Sequence, residues 1–176
     1  ENPLSKQRPE ALAVMDKALE RIEAIYANQT INVPSNVTLL AHIPFYISTA
    51  TRFDGTGHCS GIQRNSSLWQ DIRFQALRAL IVGIDGYGVR ASIVVDTNDD
   101  SCEGRIREEL GAGTLRNSKL RVVAHKNLTH GYLLTAVHRA HMAQEIHNFD
   151  FFLYAEDDVV LPPALFQYVY DHWREL

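Results

Sequence analysis

Three consecutive acids, Glu156-Asp157-Asp158, stand inside an otherwise apolar run, with Phe151-Phe152-Leu153-Tyr154-Ala155 before them and Val159-Val160-Leu161 after. Burying a carboxylate costs several kcal/mol unless it is paired or holds a cation. If the run is a strand, Glu156 and Asp158 lie two residues apart and face the same way. Two carboxylates aimed at one point suit Mn²⁺ or Mg²⁺, which take hard oxygen ligands and keep positions open for water or phosphate oxygens. The same acids would also suit the solvated end of a strand, so a metal is one of two readings.

Other residues could join such a site. Asp96 closes the segment Val94-Val95-Asp96 and is followed by Asp99 and Asp100; its carboxylate could accept hydrogen bonds from a ligand, or cap a turn or a helix. Pro44 and Tyr46 end an earlier apolar segment, where a ring and a stretch of backbone could flank a ligand or simply pack. Arg139 could reach an anionic group or remain a surface cation. His130, His138 and His141 raise zinc, since 138 and 141 are one helical turn apart, but no glutamate stands between them in a His-Glu-x-x-His pattern.

These residues need elements to position them. Residues Pro9 to Ala27 place Leu12, Met15, Leu19, Ile22 and Ile25 at three- and four-residue steps, an amphipathic helix with Pro9 in its first turn. Val37 to Ile43 reads as a first strand ended by Pro44, and the polar stretch Ser48 to Ser67 as a loop. A helix is expected over Leu68 to Ile84, a second strand over Val89 to Val95, a short helix over Gly104 to Leu110 and a third strand over Leu120 to Ala124. A long helix follows over Gly131 to His147, then a fourth strand over Asp150 to Val160 and a last helix over Pro163 to Glu175. This alternation predicts an α/β domain with a mostly parallel sheet and helices on both faces. Ligands of such sheets bind at the carboxyl ends of the strands, where the acidic triplet falls.

The bulk properties bound the function classes. The chain has 176 residues, of which 45% are hydrophobic and 22% charged, a globular composition without repeats or low-complexity tracts. A net charge of −4 gives no reason to expect nucleic acid; basic residues are scattered apart from Arg105/Arg107 and Arg116/Lys119/Arg121. No apolar run approaches the ~20 residues of a membrane span. The sequence begins at Glu1 without methionine and stops at Leu176 inside an expected helix, so it reads as a piece of a longer protein, in which any membrane anchor or signal peptide would lie upstream.

Nine asparagines and 18 serines or threonines predict about one N-glycosylation sequon by chance. The chain has four, at Asn28, Asn36, Asn65 and Asn127, which points to a secretory-pathway lumen, the Golgi or the endoplasmic reticulum. Cys59 and Cys102 fall in expected loops after the first and second strands. A disulfide between them would be worth roughly 3 to 5 kcal/mol through loop entropy, and two free thiols fit equally well.

Read in order, the strand ends are Ile43-Pro44-Phe45-Tyr46, then Val95-Asp96-Thr97-Asn98-Asp99-Asp100, then Arg139 in the long helix and Glu156-Asp157-Asp158, 17 residues after Arg139. This succession resembles the nucleotide-sugar-binding half of GT-A fold glycosyltransferases of the large inverting family, over roughly residues 37–161. The resemblance implies a Rossmann-like GT-A sheet, with residues 1–34 a helical extension and 35–176 the nucleotide-sugar-binding part of the catalytic domain. It implies a nucleoside diphosphate sugar donor, a glycan, protein or lipid acceptor, and Mn²⁺ or Mg²⁺ as the cofactor.

By the same resemblance Asp158 and Glu156 contact the metal, with the first acid also able to reach the ribose and Asp157 beside them, while Asp96 binds the nucleoside and Pro44 and Tyr46 flank the base. Arg139 would meet the diphosphate or brace the acids. The catalytic base, an Asp or Glu that follows the metal motif in the family, would lie beyond Leu176.

Departures from the family pattern are the Glu-Asp-Asp in place of Asp-x-Asp, Ile47 and Ala140 where asparagines are expected, and an insertion between Pro44 and Asp96 that contains Gly55, Gly57, His58 and Cys59. Two further readings remain. A sugar-nucleotide pyrophosphorylase uses a related sheet but wants a glycine-rich basic loop after the first strand, where this chain has Ile-Pro-Phe-Tyr. A GT-A-like module without turnover would keep the fold alone.

Overall fold

A computed structural model of the chain describes residues 31–46, 67–98, 100–110, 115–125, 128 and 133–173, together with several helical or turn positions between 13 and 29. Ile47, the 55–59 insertion, Asp99, His130, Asn65, Asn127 and the side chain of Cys102 lie outside the described residues, and with them the proposed disulfide.

Among the described residues from Thr38 onward, four strands and four helices alternate: β1 (Thr38–Phe45), α1 (Ser67–Asp85), β2 (Arg90–Thr97), α2 (Asp100–Leu110), β3 (Ser118–Ala124), α3 (Leu134–Gln144), β4 (Phe151–Tyr154) and α4 (Pro163–His172). All strand pairs are parallel, in the order β3-β2-β1-β4. The α/β class, the parallel sheet and the helices on both faces follow the sequence reading.

Strand order explains the helix placement. Successive right-handed crossovers from β1 to β2 to β3 put α1 and α2 on one face, and the return from β3 to β4 puts α3 on the other. The first face is apolar. Leu39, Ala41, Ile43 and Phe45 of β1 and Ala91, Ile93 and Val95 of β2 point into it, against Phe74, Leu77, Leu80, Ile81 and Ile84 of α1, Ile106 and Leu110 of α2, and Phe166 of α4. Alternate residues of the same strands, His42 and Asp96 among them, face α3.

Loops between the elements are pinned by single groups. Gly88 takes a φ of 69° in the turn from α1 to β2, a conformation most side chains avoid. Buried Asp85 accepts the backbone N–H groups of Arg116 and Asn117 and so fixes the entry to β3. The chain before β1 also packs on the domain. Tyr26 lies so close to Gly83 that an added Cβ would stand 2.8 Å from its ring, and the Gln29 and Gln167 side chains join this segment to α4.

Two expected boundaries move in ways that bear on function. β1 continues through Pro44, which pairs with Asp96, instead of ending there. His42 accepts from the Ala155 N–H, so even-numbered residues of β1 bond toward β4; β4 has ended by the level of Pro44, and the missing N–H leaves no bond unmade. The fourth strand stops at Tyr154, so the acids lie beyond it, in a turn closed by the Val159 N–H on the Glu156 carbonyl. A turn relieves the cost that a continuous strand would have imposed on three adjacent carboxylates. Among the smaller shifts, α2 begins at Asp100, four residues before the expected start.

Candidate functional site at the carboxyl edge of the sheet

The carboxyl ends of β1 and β4 adjoin where the strand order reverses, the usual place for a ligand in an open parallel sheet. Here the acidic turn divides its labour. Glu156 and Asp158 are exposed, whereas Asp157 is only 6% exposed and turns inward.

Arg73 of α1 receives Asp157. Its Nε and Nη2 both donate to Asp157 Oδ2, at 2.9 and 2.5 Å, while Nη1 donates to the Tyr46 carbonyl at 2.5 Å. One guanidinium thus ties the end of β4 to the end of β1, with its carbon 5.2 Å from the centre of the Phe45 ring. Burial holds the Asp157 carboxyl above the usual carboxylate range in spite of the lowering pull of Arg73, and neighbouring Asp158 adds to the rise. The bracing role expected of Arg139 is filled by Arg73. Arg139 itself is exposed on α3, near enough to Tyr154 and His138 to influence both.

A second cluster lies on the α3 face. Asp96, 4% exposed, has both oxygens engaged: Oδ2 by His42 Nδ1 at 2.7 Å and Oδ1 by His125 Nε2 at 2.8 Å. His42 Nε2 meets His141 Nδ1 of α3 at 2.7 Å, and His141 Nε2 meets Arg121 Nη2 of β3 at 2.9 Å. The His138 ring packs 4.2 Å from that of Tyr154. Burial comes first in lowering both His138 and His141 below the ordinary imidazole value; His42 and Arg139 add to the effect for His138, Arg121 and His42 for His141.

The expected site residues Pro44, Tyr46, Asp96 and Glu156 to Asp158 all come to the carboxyl edge. Arg139 does not join the acidic turn through any described hydrogen bond or ion pair. Three participants were missed: Arg73, His42 and His125. His42 carried a signal, being the one ionisable residue in the run Val37 to Ile43; Arg73 looked like an ordinary helix cation, and His125 sat at an expected strand end without a motif around it.

Among the described residues no three His, Cys, Asp or Glu side chains are gathered to hold a metal by themselves. Because β4 ends at Tyr154, strand alternation no longer aligns Glu156 with Asp158 as the sequence led one to expect; a hard ion that arrives with phosphate oxygens needs only one or two carboxylates. Glu156 and Asp158 are the exposed pair able to supply them. No protein family, curated protein or solved structure matches the chain.

Proposed function

We propose that this chain is the donor-binding part of a metal-dependent glycosyltransferase with a GT-A-like sheet, taking a sugar from a nucleoside diphosphate sugar to a hydroxyl of a glycan, protein or lipid. The observation that carries the reading is the acidic turn: two exposed carboxylates flank a buried one at the carboxyl end of β4, where the strand order reverses. A nucleotide sugar develops negative charge on its leaving diphosphate as the glycosidic bond breaks, and a divalent ion between Glu156, Asp158 and the phosphates would neutralise it.

The protein's own contribution is positioning. Arg73 fixes Asp157 and the Tyr46 carbonyl, which holds the turn and keeps the two outer carboxylates directed to solvent. Lumenal residence in the secretory pathway belongs to the same proposal and draws on the sequons, of which Asn28 and Asn36 are exposed.

Calorimetric titration of the protein with UDP-, GDP- and ADP-sugars, with and without Mn²⁺ or Mg²⁺, tests the reading. Binding of one donor that needs the metal and is lost in Asp158→Ala supports it. Donor binding indifferent to both the metal and Asp158 sinks it, and triphosphate-dependent release of pyrophosphate would favour a pyrophosphorylase instead.

A further inference from the structure

The shortest hydrogen bonds on the α3 face run in one direction. Arg121 Nη2 stands 2.9 Å from His141 Nε2 and 3.5 Å from its Nδ1; a guanidinium can only donate, so the nearer nitrogen, Nε2, accepts and carries no proton. His141 must then be protonated on Nδ1, from which it donates to His42 Nε2. His42 in turn carries its proton on Nδ1 and donates to Asp96 Oδ2. Glu145, 3.9 Å from His141 Nε2, is too far to compete for a hydrogen bond. The chain therefore runs from a cation at one end to a carboxylate at the other, through two imidazoles in the same tautomer.

Asp96 has one oxygen left, and His125 Nε2 donates to it. A neutral imidazole bound in this way keeps an unprotonated Nδ1, which is a hydrogen-bond acceptor. His125 directly follows β3, its backbone N–H bonded to the Thr97 carbonyl at 2.7 Å, and its side chain is 27% exposed at the ligand-binding edge of the sheet. Asp96 is 4% exposed with each oxygen already accepting a bond, whereas His125 has an acceptor and an open side.

On the glycosyltransferase reading above, we infer that His125 Nδ1 accepts a hydrogen bond from an N–H or O–H donor of the nucleoside, and that Asp96 is a positioning residue that sets the His125 tautomer. This departs from the role that the resemblance gives Asp96. Strands lie about 4.8 Å apart, which sets the edges of β2 and β3 two to three strand spacings from β4; a nucleoside there and its diphosphate at the acidic turn would span the sheet edge.

Two substitutions separate the nitrogens of His125. His125→Gln places an amide near Nε2, retains a donor toward Asp96 and removes the Nδ1 acceptor; His125→Asn places an amide oxygen near Nδ1. With Mn²⁺ and UDP as the probe, His125→Gln is expected to weaken binding about fivefold to tenfold, with inorganic pyrophosphate unaffected and His125→Asn recovering much of the loss. UDP methylated on the base N3, 2′-deoxy-UDP and 3′-deoxy-UDP identify the donor: one of them reproduces the loss in the native protein and shows none further in His125→Gln.

The positioning role has a spectroscopic signature. In Asp96→Asn the Arg121-to-His42 chain still demands an acceptor, so the oxygen of the new amide turns to His42 and its NH₂ to His125. The His125 proton must move to Nδ1 while His42 keeps its tautomer, a change read directly from imidazole nitrogen-15 shifts. Equal UDP affinity in His125→Gln and the native protein overturns the inference and leaves the glycosyltransferase reading standing, as does a loss that none of the modified nucleotides reproduces. Failure of the native protein to bind either UDP or pyrophosphate with Mn²⁺ overturns both.

Discussion

Arg73 clasps Asp157 through two nitrogens on a single carboxylate oxygen, and with its third nitrogen it holds the Tyr46 carbonyl. The pair is largely out of solvent, with side-chain exposures of 20% and 9%. Removing one member of such a pair leaves a buried charge behind, which costs about 3 kcal/mol. Arg73→Ala should therefore lower the urea midpoint strongly, and Arg73→Lys should recover little, because an ammonium cannot reach both partners in the same fork. A lysine variant as stable as the native protein would show that the fork is unimportant.

The three neighbouring acids should separate by phenotype. Glu156→Ala and Asp158→Ala remove exposed side chains and should change stability by no more than about 0.5 kcal/mol. Both should cut metal-dependent donor binding by about tenfold or more, the loss of a charge-assisted contact. Asp157→Asn should do the reverse, lowering the melting temperature while the metal still binds. Thermal melts beside donor titrations decide the matter, and equal destabilisation by all three variants would refute the division.

Element types were legible because they rest on local periodicity. Phe74, Leu77, Leu80, Ile81 and Ile84 announce α1 by their spacing, and the β-branched run Ile93-Val94-Val95 announces a buried strand. The acidic triplet was legible as a chemical oddity, and its place at a strand end came from topology. Pairings across the sheet were not legible. The Arg73–Asp157 bond joins residues 84 apart, and the His42–Asp96–His125 cluster gathers three strands; contacts set by packing leave no periodic trace. Even so, His42 in an apolar strand was a local contradiction of the kind that marks a partnered group.

At the opposite end of the sheet, Asp150 and Thr38 fasten the starts of β4 and β1. Asp150 Oδ2 accepts from the Thr38 N–H and hydroxyl, both at 2.8 Å, and the Asp150 N–H returns a bond to the Thr38 Oγ1 at 3.0 Å. The Thr38 backbone bond and then its hydroxyl hold the Asp150 carboxyl below the usual carboxylate value of 3.8. With the folded value depressed, the contribution to stability is complete above 3.8 and is lost as pH falls through the folded value. Asp150→Asn should lower the urea midpoint slightly at pH 7, and the gap from the native protein should close on acidification below 3.8. A gap that persists at low pH would place its origin elsewhere. Because Asp150 is exposed, the effect is small, and Thr38→Val should reproduce part of it.

His138 and His141 carry the opposite end of the pH scale. Both titrate below the ordinary imidazole value of 6.5, chiefly through burial, with Arg121 and His42 adding to the effect at His141. An imidazole depressed by folding contributes stability that is complete above 6.5 and is lost as pH falls through the folded value, because the unfolded chain takes up the proton first. Protonation of His141 also has a structural cost, since its Nε2 must stop accepting from Arg121 and two donors would then face each other. The urea midpoint should therefore fall between pH 7.5 and 5.5. His141→Gln should lose stability at pH 7.5 yet show a shallower decline, so that the two proteins converge toward pH 5.5. Measured as a difference from the native protein, this trend is separated from Asp157, whose raised carboxyl shifts stability in the other direction. Parallel midpoint curves for the native protein and His141→Gln would mean that His141 does not titrate with unfolding, and the directional hydrogen-bond chain would lose its support at the Arg121 end.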